Sequence, residues 1–120
     1  LNFKKKIISK IYFNNNLDVE EKVDVISLKT FIKNLKIQSV DLIKIDTEGY
    51  EFYVIKGLGN YLKKIKILLF EHHYDDSLIK NYKFSDINSL LVKNGFKLAF
   101  KNKMLIRNIY EYIYVNQCKF

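Results

Sequence analysis

The sequence contains few or no residues of several types, and each scarcity excludes certain kinds of site or classes of protein. Among 120 residues there is one cysteine and no proline or tryptophan. Because Cys118 stands alone, an intrachain disulfide and a multi-cysteine zinc site are excluded, and a reducing compartment is expected. No apolar run approaches the roughly 20 residues that a membrane-spanning helix needs. Ile7 and Ile8 are too few for a signal-peptide core of about 7–15 residues. We therefore expect a cytoplasmic protein with no membrane partner.

Arginine is also scarce, although the chain is basic. The 21 basic and 13 acidic residues give a formal net charge of +8, yet Arg107 is the single arginine. Arginine, not lysine, supplies the forked donor geometry that reads bases and grips phosphates. The lysines are scattered along the chain, which favours a solvated surface. A lysine-rich nucleic-acid binder is therefore the weaker interpretation.

The positions of the acidic residues are more informative than the net charge. Two short windows hold six of the thirteen acids: Asp46, Glu48 and Glu51 in one, and Glu71, Asp75 and Asp76 in the other. Each window follows a β-branched or bulky apolar run, at 40–46 and 65–71, and such short runs favour buried strands. Helical patterning separates the two runs, which predicts an α/β fold with parallel strands and crossover helices.

The rest of the chain fits the same layout. A helix is predicted from Leu28 at i, i+3, i+4, i+7 spacing, another after Gly49, and a third with Ser85 as its N-cap, ending at Gly95. Strands are predicted at 6–13, 22–27, 96–101 and 109–115, the last two forming a terminal antiparallel hairpin. No repeat or domain boundary interrupts residues 1–120, which we treat as a single domain.

Both acidic windows lie where ligands bind in open parallel sheets, at the carboxyl ends of strands. If the two strands are neighbours, Asp46, Glu48, Glu71 and His72 gather around one crevice suited to general acid/base chemistry. An alternative is that Asp46 or Glu48 merely caps the helix after Gly49. A metal site using Asp46 with Glu71 or His72 is a further alternative. Because adjacent histidines on a strand point to opposite faces, both cannot readily serve one ion, and no metal is predicted.

The stretch at 40–57, VDLIKIDTEGYEFYVIKG, resembles the signature of the FkbM-type methyltransferase family, a close variant of I-D-L-I-K-I-D-V-E-G-x-E-x-x-V-L-K-G. The strand is preserved together with seven positions in register: Lys44, Asp46, Glu48, Gly49, Glu51, Lys56 and Gly57. The resemblance extends over roughly residues 22–100. It departs from the family where Lys29 and Thr30 replace the usual acidic pair.

The resemblance implies the C-terminal half of a Rossmann-like methyltransferase sheet, with 40–46 as the fourth strand, 65–71 as the fifth and 96–115 as the sixth and seventh. The implied reaction moves a methyl group from S-adenosylmethionine to a hydroxyl oxygen of a sugar or another small hydroxylated metabolite. Asp46 is the first candidate for the catalytic group and Glu48 the second. Glu71, His72 and Lys44 are candidates for substrate binding, with Lys44 expected to pair with an acid.

One part of the family pattern is missing. The family's cofactor half opens with a glycine-rich turn resembling D-V-G-A-N-x-G, whereas this chain has glycine only at 49, 57, 59 and 95. Cofactor-binding residues are therefore not identified, and the chain is expected to be a C-terminal segment of a longer enzyme, inactive alone. The strand at 40–46 then has an exposed edge that invites self-association. The alternative function is a non-catalytic α/β remnant or interaction module that has lost the cofactor site.

Overall fold

A computed structural model describes residues 21–75 and 77–119. The predicted strand at 6–13 lies outside these residues. The helices and strands are α1 (Leu28–Asn34), β1 (Val40–Ile45), α2 (Glu51–Leu58), β2 (Ile65–His73), α3 (Phe84–Lys93), β3 (Phe96–Lys103) and β4 (Ile109–Asn116). Two 3₁₀ helices cover Gly59–Lys64 and Gln117–Lys119. Within the described ranges no helix has the length and apolar character needed to cross a bilayer.

The four strands form one sheet in the order β1-β2-β4-β3. β1 and β2 are parallel, with Val40 opposite Ile65, as the apolar runs predicted. β4 is antiparallel to both of its neighbours, so the predicted hairpin is confirmed and its second strand lies inside the sheet. His73 at the end of β2 faces Ile109 at the start of β4. The carboxyl ends of β1 and β2 and the loop between β3 and β4 therefore share one edge of the sheet.

The core lies around β2 and β4, the two inner strands. Phe70 of β2 stacks on Tyr112 and Tyr114 of β4, with ring centroids 5.5 and 5.8 Å apart, and all three side chains are fully buried. The helices add further buried side chains to this layer: Ile32, Ile55, Leu58, Ile87 and Leu91. Each large apolar side chain buried in this way contributes about 1.5–3 kcal/mol. Packing against this core fixes the direction of β2 and hence the position of its polar end.

Three local predictions were wrong. Residues 22–27 are not a strand; Val23, Val25 and Ile26 are each more than half exposed, and this segment is in no sheet ladder. The N-cap of α3 is Lys83, whose backbone N–H donates to Asp86 at 2.7 Å, so Ser85 lies within the first turn.

The spacing of Tyr50, Val54 and Leu58 predicts that these three side chains share the buried face of α2. Tyr50 is instead 52% exposed, and the charged Glu51 is buried.

β1 is an edge strand within the described part of the chain, since it pairs with β2 alone. Its sequence is typical of a strand covered on both faces, yet Leu42 is 55% exposed. An apolar strand with unpaired backbone groups on one side is a template for a further strand. This is the exposed edge that the sequence predicted.

Candidate active site

Four ionisable side chains meet where β1 and β2 end, and we call them the acid cluster: Asp46, Glu48, Glu71 and His73. His73 Nε2 lies 3.6 Å from Glu48 Oε2 and 4.0 Å from Glu71 Oε2. The His73 side chain is only 5% exposed, whereas that of Glu48 is 67% exposed. Asp46 is close enough for its charge to act on Glu71. A buried imidazole thus stands between carboxylates that solvent or a ligand can reach.

Neither Asp46 nor Glu48 caps α2. The N-cap of α2 is Tyr50, and no side chain makes a capping hydrogen bond there. Asp46 Oδ2 instead lies 3.3 Å from Lys44 Nζ, which confirms the expectation that Lys44 pairs with an acid. Both partners of this ion pair are about half exposed. The alternative in which these carboxylates only begin the helix is therefore wrong.

The turn that carries these two acids has an unusual backbone. Glu48 and Gly49 both have positive φ angles, of 49° and 100°. A left-handed backbone is rare for a glutamate and costs about 1 kcal/mol or more. Glycine is favoured at position 49, because a side chain would strain a backbone with a φ of 100°. The turn therefore requires interactions that hold it in this shape.

Glu51 provides those interactions. Its side chain is 2% exposed, and its Oε1 accepts hydrogen bonds from the backbone N–H of Thr47 at 3.2 Å and of Gly49 at 3.0 Å. The Thr47 hydroxyl donates to the same oxygen, while Oε2 accepts from the Tyr82 hydroxyl at 2.5 Å. Burial by itself raises the pKa of Glu51, but these hydrogen bonds together lower the pKa below its ordinary value. The buried carboxylate thus fixes the turn that presents Asp46 and Glu48.

Glu71 has the opposite electrostatic character. Partial burial raises the pKa of Glu71, and the nearby carboxylates of Asp46 and Glu111 raise it further. Lys44 and His73 act in the other direction but do not cancel the effect. A carboxyl group with a raised pKa holds a proton more readily than an ordinary glutamate does, which suits Glu71 to hydrogen bonding with a bound ligand.

The sequence placed His72 beside Glu71, and this grouping was wrong. Successive side chains of β2 alternate between faces, so His72 points away from the acid cluster. Its ring packs 4.8 Å from the ring of Tyr74 and 5.8 Å from that of Phe84. His73, two residues after Glu71, takes the expected place. The parity of Glu71 and His73 along the strand was the signal that would have identified it.

Comparison with known families decides the assignment of the chain. Residues 4–98 match the family described as "Methyltransferase FkbM domain". The chain belongs to the FkbM methyltransferase family. No curated protein and no solved structure gave a match to this sequence.

Membership of the FkbM family implies S-adenosylmethionine as the methyl donor, but the described residues do not fit a site for it. Gly49 is the one glycine at the relevant edge, and the side chains of Leu78 and Lys80 lie beside it, 3.4–3.7 Å from where a Cβ would stand. Gly57 and Gly59 lie at the end of α2 and do not follow a strand. The described part of the FkbM chain thus offers no cradle for the cofactor.

A metal site using Asp46 with Glu71 or His72 was a further alternative from the sequence. In residues 21–75 and 77–119 no three His, Cys, Asp or Glu side chains are arranged so that they could hold a metal ion. Asp76, in the second acidic window, lies outside these residues.

Proposed function

We propose that the chain is the C-terminal half of a Rossmann-like, S-adenosylmethionine-dependent methyltransferase, which methylates a hydroxyl oxygen of a sugar or another small hydroxylated metabolite in the cytoplasm. The order β1-β2-β4-β3, with the last strand inserted antiparallel, carries this proposal. It corresponds to strands four, five, seven and six of the methyltransferase sheet that the sequence resemblance implies. Family membership supports the same assignment.

In this proposal the acceptor hydroxyl binds at the acid cluster. Asp46 takes the hydroxyl proton as negative charge develops on the oxygen, and Glu48 is the second candidate for this role. Lys44, 3.3 Å from Asp46, holds the Asp46 carboxylate in place. Glu71 binds the acceptor as a hydrogen-bonding partner. Alignment of the oxygen for in-line transfer supplies most of the acceleration.

The cofactor site itself is assigned to strands that complete the sheet beyond β1. Among the described residues β1 pairs with β2 alone and Leu42 is 55% exposed, and both observations support this assignment. We derive no catalytic step from the cofactor, since the described residues do not fit it. The 120-residue chain is accordingly expected to be inactive by itself.

The test uses the longer parent protein with isotopically labelled S-adenosylmethionine. We expect the parent to bind the cofactor, and Asp46→Asn to leave this binding unchanged while methyl transfer falls by about 10²–10⁴. Asp41→Asn is the matched control, because Asp41 is on β1, the strand that leads to Asp46, pairs with Lys66 at 2.7 Å and is 86% exposed. Its activity should equal that of the wild type.

If the parent shows no detectable binding of S-adenosylmethionine at millimolar concentration, the proposal is overturned. The alternative function, a non-catalytic interaction module, would then remain. Full activity of Asp46→Asn would show that Asp46 is not the proton acceptor. Glu48 would then be the candidate, and the Glu48→Gln variant tests it.

A further inference from the structure

A second recess lies at the carboxyl end of β2, where it is lined by His72 as well as by His73 of the acid cluster. It has a volume of about 670 Å³ and opens between the end of β2 and the start of α3. Four rings form its walls, and we call it the ring pocket: His72, Tyr74, Tyr82 and Phe84. The His72 ring lies 4.8–5.9 Å from the other three. Flat aromatic walls of this kind bind the apolar faces of ring compounds.

The rim of the ring pocket is positively charged. Lys80 and Lys83 both line it, and the Lys83 side chain is exposed. Among the described residues that line the pocket, the acid is Asp75, which is bound by Arg107 at 3.4 Å and by the Ser77 hydroxyl. Burial and the nearby Lys80 charge lower the pKa of His72 to about 4, so His72 is neutral at pH 7. The charge offered to a ligand at the rim is therefore that of the lysines.

His72 also has an unused hydrogen-bonding atom. Its Nδ1 is buried and has no hydrogen-bond partner among the described residues. Buried polar atoms in native proteins nearly always have a partner, which a bound ligand or water can supply. Tyr74, whose ring packs against that of His72, is 43% exposed. A ligand that carries hydroxyl groups is thus favoured over a purely apolar one.

The ring pocket is connected to the acid cluster in two ways. His73 and Asp75 line the pocket, and His73 is itself a member of the cluster. Tyr82 forms a wall of the pocket and donates its hydroxyl hydrogen to Glu51, which holds the turn bearing Asp46. A ligand in the pocket therefore lies beside His73, which is the member of the acid cluster that lines it.

We propose that the ring pocket binds the methyl acceptor as a sugar ring that carries an anionic group, a phosphate or a carboxylate. The ring packs on Tyr74 and Phe84, the anion lies at Lys83, and a ring hydroxyl extends toward His73 and the acid cluster. This inference rests on the proposed function, because it names the class of acceptor. It does not require cofactor binding and can be tested without methyl transfer.

The experiment titrates the ¹⁵N-labelled 120-residue chain, without cofactor, with four probes: glucose 6-phosphate, glucuronate, glucose and inorganic phosphate. We expect both anionic sugars to shift the amide signals of residues 72–85 and to bind several-fold more tightly than glucose or phosphate alone. The two anionic arms distinguish a sugar phosphate from a sugar acid.

Variants then test the residues. Lys83→Ala should weaken binding of the anionic sugars about threefold to tenfold and leave glucose unchanged, since one charge-assisted hydrogen bond is lost. Lys83→Arg should restore it. Lys97→Ala is the matched control, because Lys97 is an exposed lysine at the opposite edge of the sheet.

Equal affinities for glucose and glucose 6-phosphate, or an unchanged affinity in Lys83→Ala, would overturn the anionic part of the proposal. Phosphate that binds as tightly as glucose 6-phosphate would overturn the sugar part. No shifts at residues 72–85 with any probe would overturn the whole proposal. If the parent protein binds the sugars but not S-adenosylmethionine, the proposed sugar site stands and only the proposed methyltransferase function is refuted.

Discussion

Replacement of Glu51 by alanine is expected to lower the free energy of unfolding by about 3–5 kcal/mol at pH 7. The change leaves two well-buried donors without an acceptor, the Gly49 N–H and the Tyr82 hydroxyl. Each unsatisfied buried group costs about 1–3 kcal/mol. The donors of Thr47 contribute less, because Thr47 is exposed and water can replace the carboxylate. Few single substitutions elsewhere in the described chain should be as damaging.

The isosteric variant Glu51→Gln separates charge from shape. Its amide oxygen still accepts from Gly49, but its NH₂ group faces the Tyr82 hydroxyl, which must then turn to accept. We expect a loss of about 1–2 kcal/mol, between the alanine variant and the wild type. Asp41→Asn, an exposed site on β1, is the control and should change stability by less than about 0.5 kcal/mol.

The pH dependence gives an independent check. Because the folded-state pKa of Glu51 is lowered, the unfolded chain binds more protons at acid pH. The stability that Glu51 contributes is therefore present above its ordinary pKa of 4.5 and is lost as pH falls through the lowered value. Glu51→Gln should lack this part of the acid sensitivity.

Urea unfolding followed by circular dichroism measures the loss of stability at pH 7 and its pH dependence. We expect the slope of the free energy of unfolding against urea concentration to be unchanged. An alanine variant within about 0.5 kcal/mol of the wild type at pH 7 would refute the role of Glu51 in holding the turn.

Three further predictions concern the sheet and its polar end. The pKa of His72 is lowered to about 4, so the free energy of unfolding of the wild type should fall by about 3 kcal/mol more than that of His72→Phe between pH 6.5 and 4. Urea midpoints that change equally with pH in the two proteins would contradict this. Glu71 has a raised pKa, so its charged form opposes folding as pH rises, and Glu71→Gln should raise the melting temperature at pH 7 but not at pH 4. Leu42→Lys should reduce self-association measured by sedimentation, whereas Leu98→Lys on β3 should not; equal effects would exclude the β1 edge as the interface.

The elements that the sequence predicted well are those fixed by local pattern. The apolar runs of β1 and β2, the left-handed stop at Gly95 and the alternation in β4 each depend on a few neighbouring residues. Periodicity alone does not indicate that β4 lies between β2 and β3, because that placement depends on contacts between residues far apart in sequence. The segment at 22–27 shows the same limit, since its alternating pattern has no strand partner in the described chain.

The sequence predicted the correct edge of the sheet for the site, but it grouped His72 with Glu71, whereas His73 is the histidine beside Glu71. Asp46, Glu48 and Glu71 lie where the strand ends predicted, while His72 was chosen over His73. Strand parity separates the two histidines, and only His73 shares a face with Glu71. The roles of these residues in binding and catalysis stay predictions.

The three acids of the first window show why residue type alone could not assign their functions. Asp46, Glu48 and Glu51 are alike in charge and close in sequence, yet two are exposed and one is buried. The positive φ angles of Glu48 and Gly49 reverse the chain, which directs the amide of Gly49 at Glu51. Glu51 is stable as a buried carboxylate because four donors surround it, and one of them is Tyr82 from the wall of the ring pocket. The shape of the turn that presents Asp46 and Glu48 therefore depends on the same tyrosine that forms part of the proposed acceptor pocket.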